Sequence, residues 1–167
     1  MEIVREAVQA VLSFSSDAVV ILLLVAGLSA YAFILGKGRA ISLLISFYPA
    51  ALLFKYLPFL KQYTVANPAT SALAIEQAVI FLILVGITHI VLNSLISVES
   101  SYSRVRKILD SLILGVTTAS IIIVCSYSVV TIKNFYNFSN SIDSLFASGL
   151  IFYWMFAPFV VIYLLRR

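Results

Sequence analysis

Long uncharged apolar runs constrain this chain more than any other feature. The stretch AVVILLLVAGLSAYAFILG, 18–36, carries no charge at all. A helix needs about 20 mostly apolar residues to cross roughly 30 Å of hydrocarbon. Inside lipid every backbone N–H and C=O must be answered within the protein, and a single such run achieves this only as a helix. Further runs follow at 40–60, 72–98, 109–132 and 144–165. The pattern predicts an all-α, polytopic transmembrane helix bundle of about five spans, forming one integral membrane domain over 1–167. Composition agrees: 62% of residues are hydrophobic and 11% charged. A soluble domain has about 45–50% and about 25% respectively.

The segment before the first run reads differently. In MEIVREAVQAVLSF, Val4, Val8, Val11 and Leu12 share a helical face, with Glu2, Arg5, Glu6 and Gln9 largely off it. Residues 1–16 are therefore expected as a short amphipathic helix lying on the membrane or on the bundle. Ser15, Ser16 and Asp17 are expected to break it and cap the first span, since negative charge is favoured at a helix N-terminus. These charges also argue against a cleaved signal peptide, so the first span is expected to act as an uncleaved insertion signal.

The connections carry turn chemistry. GKGRA makes a very tight turn after the first span. Pro49 is expected to kink the second span, and Pro58 to end it. Lys55 must snorkel outward or find a partner. Residues 61–71 and 133–143 read as polar loops, and ESSYSRVRKILD as a basic connector that is part helical. Counting Lys and Arg by side sets the orientation. Lys37, Arg39, Arg104, Arg106, Lys107, Arg166 and Arg167 fall on one side, and Arg5, Lys55, Lys61 and Lys133 on the other. The richer side is expected to be cytoplasmic, which puts the N-terminus outside and the C-terminus inside. Tyr56, Phe59, Tyr63, Phe135, Tyr136 and Phe138 are expected at the outer headgroup level. Asn137-Phe138-Ser139 matches a glycosylation sequon on only three residues.

No constellation for catalysis is present. There is no phosphate-binding glycine loop, no nucleophile elbow and no zinc-spaced His–Glu pair. One histidine cannot build a metal cage, and Cys125, alone in an apolar run, reads as a small buried residue. The expectation is a protein that is not an enzyme and holds no cofactor or metal. The net charge of +4 is spread over short loops and not gathered on one face. That excludes a nucleic-acid partner and leaves the lipid bilayer.

Polar residues inside the spans are the remaining candidates, because their burial in lipid is costly. His89 and Asn93 lie four residues apart on one helical face, which Gly86 and Ser97 extend. Glu76 is 13 residues, roughly 20 Å, further out. The first reading is a face that packs on a neighbouring helix through hydrogen bonds. The alternative is a substrate path or proton relay through Glu76 and His89. Ser111, Gly115 and Ala119, each four apart, form a small-residue stripe that lets helices approach closely, and Ala26 and Ala30 do the same on the first span. Such a stripe serves packing within the chain or contact with a membrane partner or second copy.

Two stretches resemble the bacterial colicin V production protein (CvpA) family. Asp17 opens a first span, and GKGRAISLLIS, 36–46, gives a tight basic turn before a Leu/Ser-rich start. Later SRVRKILDSLILGVTTASIIIV carries Leu109, Asp110 and Gly115 at the opening of another span. The resemblance covers roughly 17–132. Ala40 stands where the family favours glycine, the Asp17–Arg39 spacing is long, and 133–167 add a span. The resemblance implies a small inner-membrane protein tied to toxin production or export and to envelope homeostasis, with no defined reaction. The leading expectation is an accessory or structural factor. A transporter or channel subunit with a polar path near His89 is the alternative.

Overall fold

The computed structural model describes residues 2–57, 71–96, 104–128, 144 and 149–165, with side chains placed from Asp17 onward and, in the third helix, from Ile75. Among these residues there are five helices and no strands: α1 (Glu2–Leu35), α2 (Lys37–Tyr56), α3 (Ser71–Leu95), α4 (Arg104–Ser128) and α5 (Ile151–Leu165). Four contain stretches long and apolar enough to cross a membrane: Asp17–Leu35, Lys37–Tyr56, Ile75–Leu95 and Arg104–Ser128. α5 is apolar but only 15 residues long, about 22 Å. Ser144, at the start of the expected last span, is also helical.

The expected break at Ser15–Asp17 does not occur. α1 is one helix of 34 residues, about 51 Å long, so it outruns a hydrocarbon core of roughly 30 Å by about 20 Å. Local capping chemistry lost to helix continuity, and Asp17 sits mid-helix with only 1% of its surface exposed. The turn after α1 is tighter than GKGRA suggests. Gly36 alone separates the two helices, so α2 starts at Lys37 and not at Ala40. Its φ of 90° and ψ of 162° belong to a region essentially reserved for glycine. Its N–H still closes α1 on Ala32 O at 3.1 Å, and its carbonyl opens α2 by accepting from Ala40 at 3.2 Å.

α2 runs through Pro49 without interruption. It ends at Tyr56, and Leu57 is extended (φ −65°, ψ 113°), as the residue before a proline must be. Lys55, in the last turn, is exposed and free to snorkel along α2. The basic connector is helical from Arg104, so α4 starts five residues before the expected span. The loops, Phe59, Tyr63, Phe135, Tyr136, Phe138, the sequon at Asn137, and the span ends at 97–98 and 129–132 lie outside the described residues.

Helices α2 and α4 form the centre. α1 packs on α4 and α2, α3 on α2, and α5 on α4. The core joins Leu44, Phe47 and Ala50 of α2, Phe81 and Val85 of α3, and Leu114, Ile121 and Cys125 of α4. Leu22, Leu23, Leu82, Ile83 and Ile90 point outward, as helices bathed in lipid require.

Candidate functional site

Two polar junctions tie the bundle together. The first is built on Lys37, which the one-residue turn swings beneath α4 and α5. Its ammonium donates to Asp110 Oδ2 at 3.0 Å and to the Leu165 carbonyl at 2.5 Å. Both side chains are withdrawn from solvent, at 8% and 12% exposure. The chemistry is complementary at each end. A cation at the start of α2 opposes that helix's own dipole, so it needs partners. The Leu165 carbonyl is an orphan acceptor at the end of α5, where a cation is favoured. One ammonium thus fastens α2, α4 and the last turn of α5.

The second junction is built on His89, half-buried on α3. Tyr31 of α1 lies 3.1 Å from Nε2 and packs edge-on, with ring centroids 6.5 Å apart. Ser42 of α2 lies 3.4 Å from Nδ1 and donates to the His89 carbonyl, also at 3.4 Å. One tautomer satisfies all three contacts: Nδ1–H gives to Ser42 Oγ, Ser42 gives to the carbonyl, and Tyr31 gives to Nε2. Ser42 stands five residues beyond Lys37 on α2, about 7.5 Å along the axis, so the two junctions occupy successive levels of one end of the bundle.

Further side chains repeat the theme. Thr88 Oγ1 donates to Leu84 O of its own helix at 2.8 Å and lies 3.1 Å from Ser46 O across on α2. That acceptor is next to the Ile45 carbonyl, which Pro49 leaves without its helical donor. Tyr48 donates to Met155 O of α5 at 2.5 Å and packs its ring 5.0 Å from that of Phe159.

The residues singled out from the sequence fall as follows. His89 meets two other helices through its ring. Asn93 is half-buried one turn on, and no hydrogen bond joins it to another described side chain. Glu76 is exposed at the opposite end of α3 and is not brought to His89. Gly86 does not extend the His89 face: it is exposed, and a Cβ there would meet nothing within 4 Å. The packing face of α3 runs instead through Phe81, Val85 and Thr88. Ser111 and Ala119 are buried, and Gly115 lies against Ser29 of α1. Ala26 and Ala30 do not answer that stripe; both are exposed, and α1 presents Ser29 and Ala32 inward.

Sequence reasoning did not join Lys37 and Asp110 as a pair; it counted Lys37 only among the basic residues of the tight turn. The signal was present. Both stand at the border of a span, on the same side of the predicted topology, with opposite charge. Comparison with protein-family models, curated proteins and solved structures found no match to this chain.

Proposed function

We infer that this chain is a membrane-embedded accessory or structural factor, acting through helix–helix contacts and carrying out no reaction of its own. One observation carries the reading: the charged and imidazole groups at the Lys37 end of the bundle are spent on partners in other helices. Lys37 holds Asp110 and Leu165, and His89 stands between Tyr31 and Ser42. In lipid such contacts specify which helices meet. The Lys and Arg distribution supports a cytoplasmic Lys37 end, with the N-terminus outside and the C-terminus inside. The colicin V production resemblance supports a bacterial inner membrane and a role in envelope function or toxin export. A membrane protein partner or a second copy is the natural object of such a factor.

A second reading, a transporter or channel subunit with a polar path near His89, is favoured by one detail. The imidazole is half-buried and has a hydroxyl at each nitrogen, an arrangement able to pass a proton. Cross-linking in native membranes, then affinity capture and mass spectrometry, tests the accessory reading. A reproducible membrane partner lost on deletion of α5 supports it. Capture of no partner, together with proton or solute flux in vesicles holding the purified chain alone, overturns it in favour of the second.

A further inference from the structure

We propose that the Lys37 end of the bundle carries a seat for an anionic phospholipid, at the seam between α1 and α4. Among the described residues, the exposed charge there is cationic. Arg39, Arg104 and Lys107 are exposed, whereas Asp110, the one acid described at this end, is buried and held by Lys37. At the other end of α2 and α3, exposed Lys55 and Glu76 oppose each other in sign.

The seam adds geometry to the charge. Lys107 Nζ lies 4.6 Å from the centre of the Phe33 ring. Its ammonium is thereby laid against the side of α1's last turn, on the lateral surface that faces lipid. Arg104 is one turn earlier on α4, on the same side of the helix. Beside them runs an exposed apolar row one turn apart: Val105, Ile108, Leu112 and Val116, between 48% and 69% exposed. From Val105 to Val116 the row climbs about 16 Å, close to the depth of one leaflet of a roughly 30 Å core. A cationic head over an apolar wall of one-leaflet depth matches a phosphate joined to acyl chains. An acidic partner helix would meet the cations but would need polar or packed company along the wall. This inference does not depend on the accessory reading above.

The test uses the full chain in a mild neutral detergent, titrated with phosphatidylglycerol or phosphatidylcholine. Lipid retention is read by native mass spectrometry and unfolding by thermal melting. Phosphatidylglycerol is expected to bind more tightly, by about fivefold for each cation engaged. The preference should fade as salt rises, because exposed charges are screened. The variant Arg104→Gln/Lys107→Gln should melt like the parent without lipid and lose most of the preference. Arg39→Gln, away from the seam, should keep most of it. Equal retention of the two lipids by the parent, or a preference indifferent to salt, overturns the proposal without any variant. Full preference in the double variant overturns the seam as its place. Competition by an acidic peptide but not by phosphatidylglycerol would make the seam a protein-docking surface and also overturn it.

Discussion

Gly115 of α4 and Ser29 of α1 meet where those helices cross, with no room for a side chain on the glycine. A Cβ at 115 would lie 2.8 Å from the Ser29 backbone nitrogen and 2.9 Å from its Cα, and closer still to Oγ. Backbone atoms cannot swing aside, so a larger residue must push the helices apart. Ser29 Oγ is buried and, alone among the buried side-chain polar atoms described, has no hydrogen-bond partner. Other hydroxyls, such as those of Thr117 and Thr118, return to carbonyls of their own helix. The close approach is therefore maintained despite an unanswered hydroxyl.

Gly115→Ala should accordingly destabilise the protein by about 1–3 kcal/mol, the usual range for overpacking. Gly115→Leu should impair assembly outright. Gly27 and Gly86 supply the controls, since a Cβ at either meets nothing within 4 Å. Alanine there should be neutral or stabilising by up to about 1 kcal/mol, from helix propensity. Thermal melts of the three alanine variants in one detergent give the comparison. A Gly115→Ala midpoint equal to the parent's would remove the close-contact argument.

Gly36 fails for a different reason. It has open space around it, but its φ of 90° excludes a Cβ on torsional grounds. Gly36→Ala should cost about 1–3 kcal/mol, the range for strained backbone regions. The loss should appear as a lowered melting midpoint, with the α1–α2 hairpin opening first in hydrogen exchange. Unchanged protection at Ala32 to Ala40 would contradict this account of the turn.

The Lys37–Asp110 pair predicts a non-additive pattern. Lys37→Met leaves a buried carboxylate without its cation, and Asp110→Leu leaves the buried ammonium without its anion. Each should cost about 3–5 kcal/mol, the penalty for an uncompensated buried charge. The double variant Lys37→Met/Asp110→Leu should lose clearly less than the two single losses combined, because no charge is stranded. Lys37→Met should also free the last turn of α5, read as faster exchange there. Additive losses in a double-mutant cycle would show that the two groups do not act as a pair.

The sequence reported the spans well because lipid makes one rule dominant: a run of apolar residues must close its own hydrogen bonds. It misled wherever two local rules competed. Ser15, Ser16 and Asp17 are good cap residues, yet α1 passes through them, since Asp17 is buried by the packed bundle. Ala26 and Ala30 have the spacing of a packing face, but spacing fixes only which residues share a face and not which face turns inward. The α1 face chosen is the one that fits Ser29 against Gly115. Lys37 counted in the sequence only as one cation of a basic turn, with no local pattern to mark Asp110 as its partner. The lysine's burial follows from a turn of one residue, whose length no pattern of residue types specifies. His89 was recognisable as the polar exception in its run, but its partners Tyr31 and Ser42 lie on two other helices and look unremarkable in sequence.

His89 gives the clearest separation between a structural tie and a working group. Tyr31 at 3.1 Å makes the shorter of its ring contacts, and those with Ser42 at 3.4 Å are long. As a tie, His89→Gln should keep function, because glutamine both donates and accepts. His89→Leu should weaken the bundle only modestly, by about 0.6 kcal/mol, the average for interhelical hydrogen bonds in membranes. Tyr31→Phe should lose a similar amount, and His89→Leu/Tyr31→Phe little more than either alone. As a proton carrier, His89 would tolerate neither Gln nor Leu, since neither titrates near neutral pH. Glu76→Gln should leave the pH dependence of function unaltered, because Glu76 is exposed at the far end of α3. Function in the source cell, scored beside the amount of protein in the membrane, decides between the two. Loss of function in His89→Gln at normal abundance would make the imidazole a site and leave the packing explanation without support.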